Sequence, residues 1–170
     1  MLNEAQERYL NTISESAIAY IKPFDPNAAR VARFLLSELK NVVPELEVFW
    51  SGALALGISG KNDIDFSVVS RVEDYEKFLP RLIKVLGEPQ KRGKENIRWE
   101  ITKDGFSVDV HLTDGRSKAL AEHRKVFELL KNDPSLLAEY EALKAACDGL
   151  LLREYQRRKY EFYNRIINVT

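Results

Sequence analysis

Residues 46–69, LEVFWSGALALGISGKNDIDFSVV, constrain the fold more than any other stretch of the chain. Residues 46–50 are short and apolar-rich, follow Pro44, and predict a strand. Gly52, Gly57 and Gly60 punctuate what comes next and predict a tight loop. A second strand is predicted over 63–69, opening with Asp63 and Asp65. The two-residue period of a strand puts both carboxylates on one face, with Ile64 and Phe66 on the other. Two carboxylates on one face repel, and burying them unpaired is costly. A divalent cation relieves both problems. Mg²⁺ suits such a place because it takes hard oxygen ligands and keeps waters and substrate phosphates in its shell. A third carboxylate is at hand: residues 105–112, GFSVDVHL, alternate cleanly, with Asp109 between Val108 and Val110. Asp63, Asp65 and Asp109 are the candidate metal ligands.

The 170 residues predict one domain with a sizeable core. Lys plus Arg and Asp plus Glu are equal at 26 each, which argues against broad, non-specific nucleic-acid binding but leaves room for a local basic pocket. The single cysteine, Cys147, excludes an internal disulfide and points to a reducing compartment; its helical, apolar neighbourhood reads as a buried structural thiol. Acidic residues in the first turns do not form a signal peptide, and no apolar run is long enough to span a membrane. The expected location is therefore the cytoplasm.

Along the chain, residues 4–21 predict a first helix capped by Asn3, with Tyr9, Ile13, Ala17 and Tyr20 on one face. This extra N-terminal part, 1–22, either packs on the domain or mediates a homodimer. Asp25 and Pro26 start a helix to about residue 41, with Val31, Phe34, Leu35 and Leu39 as its core stripe. A helical stretch over 72–86 is expected to kink or break at Pro80 and to stop at Gly87. Residues 88–95, EPQKRGKE, read as a mobile loop, either a solvated turn or a basic flap. Strands over 97–102 and 106–112 are joined by Asp104-Gly105, a strong hairpin signal. Arg98 and Glu100 share one strand face, and the hairpin should bring Asp109 near them. Arg98 therefore either neutralises a carboxylate, contacts a phosphate or is a surface charge. His111 falls on the same face as Asp109, where it either orients a substrate group or acts as an acid or base, or is simply a satisfied half-buried side chain. Helices over 117–132, 135–148 and 151–167 complete a helical C-terminal part, 116–170. Trp50 and Trp99 read as core or sheet-face residues, and Tyr140 and Tyr155 as packing residues with a hydrogen-bonded tip, with nucleobase or acceptor contact as the alternative.

The glycine-bearing bend followed by Asp-Ile-Asp-Phe and a later strand acid resembles the DNA polymerase beta-like nucleotidyltransferase superfamily. That pattern places a Gly-Ser pair before the acids. Here Ala53 follows Gly52 where the serine belongs, and Ser51-Gly52 is the inverted pair. A narrower resemblance, covering most of the chain beyond the first segment, is to the GrpB-like family of small predicted nucleotidyltransferases. It rests on PFDP at 23–26, SGALALGISGKNDID at 51–65, VDVHL at 108–112, HRKVFELLKNDPSLLAEYEALK at 123–144 and the Tyr155, Lys159, Phe162 series.

The resemblance implies an α+β fold, a small mixed sheet of the polymerase beta palm type flanked by N- and C-terminal helices. It implies Mg²⁺- or Mn²⁺-dependent transfer of a nucleoside monophosphate from a nucleoside triphosphate to a hydroxyl acceptor. Asp63, Asp65 and Asp109 would hold the metal. Ser51 and Gly52 would lie against phosphate, where backbone amides can approach. Lys61 matches a family lysine and either contacts phosphate or is an exposed loop residue. Arg124, Lys144 and Lys159 match basic family positions and would bind triphosphate oxygens, as Arg98 would. The acceptor is a small molecule, a protein or an RNA end, with long nucleic acid least favoured by the neutral charge. The missing serine motivates the alternative, a catalytically inactive nucleotide-binding or interaction module of the same fold.

Overall fold

A computed structural model describes residues 1–169. Its elements run α1 (Glu4–Thr12), α2 (Pro26–Val42), β1 (Glu47–Ser51), α3 (Gly52–Leu56), β2 (Ile64–Ser70), α4 (Tyr75–Leu86), β3 (Lys91–Arg92), β4 (Asn96–Lys103), β5 (Phe106–Asp114), α5 (Lys118–Asn132), α6 (Pro134–Ala145) and α7 (Leu152–Val169). A short 3₁₀ turn, Val72–Asp74, precedes α4. The backbone forms two compact units. A sheet unit comprises Asp25–Gly57 and Asn62–Ala121; a helical unit comprises Met1–Phe24, Ile58–Lys61 and the chain from Glu122 onward.

In the sheet unit the strand order is β1-β2-β5-β4-β3. β2 and β5 run parallel, and every other neighbouring pair is antiparallel. The sheet has one apolar face. Val48 of β1, Ile64, Phe66 and Val68 of β2, Val108, Val110 and Leu112 of β5, and Ile97 and Trp99 of β4 are all buried in one cluster. Against them α2 lays Ala28, Val31, Ala32, Leu35 and Leu39, and α4 lays Tyr75, Phe78, Leu79, Leu82 and Leu86. Trp99 is fully buried, and its indole N–H donates to the Gly87 carbonyl at 2.8 Å, so the deepest aromatic leaves no unmet donor. Asp104 and Gly105 both take positive φ, 49° and 83°, the geometry a two-residue hairpin turn requires, and so the β4–β5 hairpin forms as its sequence predicts.

Several expectations are corrected. The first helix ends at Thr12, not near residue 21. Beyond it Ser14 and Ser16 bond to each other, and residues 17–22 take sheet-like partners: Leu152 N–H donates to the Ala17 carbonyl at 2.7 Å, Ala19 exchanges bonds with Leu150 and Gly149, and Lys22 exchanges bonds with Gly60. These longer-range partners outcompete the helical ladder, and serine side chains favour such departures. Tyr9 and Tyr20 are accordingly exposed. Phe34 is 56% exposed and lies outside the α2 core stripe, which runs through 28, 31, 32, 35 and 39; the Lys103 ammonium lies 5.7 Å from the centre of its ring. α4 runs unbroken through Pro80, which sits on the exposed face, where water can serve the carbonyl that loses its helical partner. Residues 91–92 form β3 on the edge of β4, and Gly93 N–H closes the turn on the Asn96 carbonyl at 2.8 Å, in place of a structureless loop. The stretch after β1 carries the short helix α3, closed by Gly57 in the left-handed region at φ 72°.

In the helical unit, α1 is capped by Asn3 and Gln6 in a reciprocal capping box, and α6 by Asp133. Cys147 is buried with Ala19 and Tyr155, as a structural thiol should be. Its thiol is pushed up from the ordinary value by that burial.

At the far end of β5, Asp114 is buried and accepts from the Arg116 guanidinium (2.6 and 2.9 Å), from Arg116 N–H at 2.7 Å and from Val72 N–H at 3.1 Å. The guanidinium, and after it these backbone donors, hold its carboxyl far below the usual carboxylate range. The carboxylate favours the native state wherever it is ionised there and would be ionised unfolded, that is, above about pH 4. That contribution fades as pH falls from there toward the folded value. Asp114→Asn is expected to lower the urea midpoint at pH 7, with the gap to wild type narrowing below about pH 4; a pH-independent gap would contradict the assignment. Leu35→Ala is expected to cost about 2–5 kcal/mol in urea unfolding and Phe34→Ala less than about 1 kcal/mol. Equal losses would contradict the α2 packing.

Candidate functional site

The opposite face of the sheet is polar, and the strand register makes it a grid. One row reads Ser51 of β1, Asp65 of β2, Asp109 of β5 and Glu100 of β4, each the direct partner of the next. The adjoining row reads Phe49, Ser67, His111 and Arg98. The parallel pairing of β2 with β5 thus sets two of the three candidate ligands, Asp65 and Asp109, side by side, on strands about 4.8 Å apart. Glu100, considered in the sequence only as sharing a face with Arg98, adds a third acid to the row. Its signal was the Asp104-Gly105 turn, which fixes the register that pairs Glu100 with Asp109.

Asp63 stands one residue before β2, so the strand period that governs Asp65 does not extend to it. The entry is shaped by Asn62, at a positive φ of 58°, whose side-chain oxygen accepts from Asp25 N–H at 3.2 Å. The start of α2 is thereby tied to the start of β2.

Asp109 is engaged by Arg98 in a two-pronged pair: Nε donates to Oδ1 and Nη2 to Oδ2, each at 2.7 Å. The same guanidinium reaches Glu100 at 2.6 Å. The Arg98–Asp109 pair is partly open, with 35% and 29% of the two side chains exposed, and the site is therefore accessible rather than sealed. His111 Nδ1 lies 3.1 Å from Asn96 Oδ1, and Nε2 lies 3.7 Å from Asp109 Oδ1. Burial lowers the His111 pKa, opposed by the Asp109 charge and aided by Arg98, which favours the neutral ring at pH 7.

Gly52 explains the glycine in the bend. Its φ of 87° disfavours any side chain, and a Cβ there would sit 2.8 Å from Asp65 Oδ2. The Asp65 carboxylate therefore lies directly against a bare backbone. Ser51 is buried in the strand beside it and makes no side-chain cap to α3. Among the described residues no three His, Cys, Asp or Glu side chains are arranged to hold a metal ion. The donor set fits a divalent cation of the Mg²⁺ kind in its common protein setting, one or two carboxylates with the remaining positions left to water and substrate phosphate.

The other candidates belong to the helical unit. Lys61 is exposed. Lys144 is 3% exposed, with its ammonium 5.0 Å from the centre of the Tyr140 ring, and Lys159 lies 5.5 Å from that of Tyr163. Tyr140 and Tyr163 share a hydroxyl–hydroxyl bond of 2.8 Å, so the two lysines flank one tyrosine pair. Arg124 lies on α5. Tyr140 and Tyr155 are both buried, in keeping with the packing reading. A cleft of about 410 Å³ lies in the sheet unit by Ser70, Arg71 and Asp114, at the opposite end of β2 from Asp65. Its Asp114 and Arg116 are committed to each other, so its volume does not outweigh the acidic row as a place for chemistry.

Gly52→Ala is expected to lower the melting temperature through backbone strain and to push the Asp65 carboxylate aside; an unchanged melting temperature and unchanged Asp65 chemical shifts would contradict the contact.

Three comparisons bear on this geometry. No curated protein sequence matches the chain. Among solved structures, the chain is similar to a conserved GrpB protein from Enterococcus faecalis, with a TM-score of 0.62 and 14% identity over 86% of this chain and 99% of that one. It is also similar to Cid1, described as having RNA terminal uridylyl transferase activity, with a TM-score of 0.50 and 16% identity. That match covers 78% of this chain but only 42% of Cid1. At these identities the likeness establishes the fold alone, a mixed α+β fold with an open five-stranded sheet and flanking helices. The GrpB protein family pattern matches residues 17–168, and the chain belongs to the GrpB family.

Proposed function

We propose that the chain is a divalent-cation-dependent nucleotidyltransferase that moves a nucleoside monophosphate from a nucleoside triphosphate to a hydroxyl acceptor. The observation that carries this reading is the register pairing of Asp65 with Asp109 on the only parallel strand pair of the described sheet, with Asp65 packed on the bare backbone of Gly52. Asp65 and Asp109, which the register sets side by side, are the ligands proposed for Mg²⁺ or Mn²⁺, with Asp63, one residue before β2, proposed to add its charge at the edge of the site. A bound divalent cation supplies neutralisation of phosphate charge and lowers the pKa of a coordinated hydroxyl. The acceptor oxygen forms a bond to the alpha-phosphorus, the bond from that phosphorus to the bridging oxygen breaks, and pyrophosphate leaves while the hydroxyl proton passes to solvent. The backbone N–H groups of the Gly52 bend are proposed to face the phosphates, beside the Asp65 carboxylate that fills the space of the missing Cβ, with Ser51 buried beneath them. The fold shared with Cid1 supports a hydroxyl-bearing acceptor of nucleotide; the balanced charge of the whole chain favours a small acceptor over a long nucleic acid.

A second reading, a nucleotide-binding module without turnover, draws on two observations. Ala53 occupies the place of the superfamily serine, and both oxygens of Asp109 are already bonded to Arg98. The two readings separate on incubation with Mn²⁺ and each labelled triphosphate over a panel of hydroxyl acceptors. Pyrophosphate release with a labelled product supports transfer, and saturable binding without either supports the module.

Asp65→Asn is expected to lower pyrophosphate release by about a hundredfold or more, the equivalent of the several kcal/mol that metal-held charge stabilisation supplies, without altering the circular dichroism spectrum. Retained activity in that variant would remove Asp65 from the site.

A further inference from the structure

Arg98 is a cation of the row beside the acidic one. It stands on β4 two residues from Glu100, diagonal to Asp109, and bonds to both carboxylates. Asp65, Asp109 and Glu100 would place three negative charges side by side on adjacent strands. Directly opposed or neighbouring like charges destabilise a sheet, and Arg98 offsets part of that repulsion. The guanidinium fork and a divalent cation seek the same carboxylate oxygens of Asp109. The same fork also matches phosphate, the other anion that a nucleoside triphosphate would bring to this face. The pair is open enough to water for one partner to be exchanged for another.

We propose that Arg98 is a resident counter-ion that is exchanged on substrate binding. In the nucleotide-free protein it holds Asp109, and when a divalent cation arrives with a triphosphate, the guanidinium leaves Asp109 to that cation and moves to a phosphate oxygen. Charge is conserved through the exchange: Asp109 trades one cationic partner for another, and Arg98 trades a carboxylate for a phosphate. Arg98 is then a positioning residue that couples cation binding to triphosphate binding, since neither exchange is complete without the other. His111, the direct cross-strand partner of Arg98, has its Nδ1 3.1 Å from Asn96 Oδ1. This inference rests on the nucleotidyltransferase reading and deepens it.

The test is Mn²⁺ binding read by the electron paramagnetic resonance signal of free Mn²⁺, with no turnover required. Wild type, Arg98→Met, Arg98→Lys and Asp65→Asn are titrated with Mn²⁺ alone, then with Mn²⁺ and a non-hydrolysable triphosphate, after circular dichroism and melting confirm folding. Wild type is expected to bind Mn²⁺ weakly alone and at least about tenfold more tightly with the triphosphate, within the usual range of coupling between two ligands. Arg98→Met is expected to bind Mn²⁺ alone about tenfold more tightly than wild type and to lose most of the gain from triphosphate. Arg98→Lys, a point charge without the fork, is expected to fall between them, and it carries the test should the methionine variant fail to fold. If Arg98→Met and Arg98→Lys both bind Mn²⁺ as wild type does, while Asp65→Asn loses it, the exchange is overturned and the metal site stands. If wild type and both Arg98 variants take up no Mn²⁺ with or without triphosphate, the metal reading fails and the exchange falls with it.

Discussion

The parallel pairing of β2 with β5 is the constraint on which the candidate site depends. Two strands that run the same way cannot be joined by a tight turn, so the chain must leave β2, cross over and return. The crossover contains α4, which packs on the apolar face and buries Tyr75, Phe78, Leu79, Leu82 and Leu86. The hairpin of β4 and β5 then delivers β5 to the edge of β2 in a register that opposes Asp65 to Asp109. A slip of one residue would turn Asp109 into the apolar cluster and Val110 out of it, at a cost no interaction on the polar face could offset. The hydrophobic pattern of one face thus fixes the carboxylate geometry of the other.

Electrostatics on that polar face is local. The chain as a whole has no net charge, yet one row carries three acids and its neighbour carries Arg98. Half-exposed ion pairs contribute little to stability, so the Arg98 fork is better understood through what it does to Asp109 than through what it adds to folding. It leaves a carboxylate pre-oriented, with both oxygens turned to a cation. The contact of Asp65 with Gly52 works in the same direction. A side chain is excluded from the bend, and a carboxylate occupies the space against backbone.

Much of this was legible in the residues. Alternation found the faces of β2, β4 and β5, and Asp104-Gly105 set the hairpin that brings Arg98 to Asp109. Caps at Asn3 and Asp25 marked helix starts correctly because each side chain serves a backbone N–H within three residues. What escaped was set at a distance. The end of α1 depends on Gly60 and on residues 149–152, far along the chain, which supply backbone partners to residues 17–22. Phe34 looked like core because it is large and apolar, but the small residues Ala28 and Ala32 define the buried stripe of α2. β3 is two charged residues whose strand geometry comes from the edge of β4 rather than from their own propensity. Glu100 pairs with Asp109 by counting outward from Asp104-Gly105, but the register that adds Asp65 to that pair joins two separate stretches, and no single one displays it.

The measurement that tests the central claim most directly is paramagnetic broadening of backbone amide resonances by Mn²⁺ in the presence of a non-hydrolysable triphosphate. The account predicts broadening centred on Gly52, on residues 63–65 and on Asp109, falling off toward the far end of β2 and β5. Broadening centred instead on Ser70, Asp74 and Arg116, or none near Asp65 and Asp109 at saturating triphosphate, would contradict it.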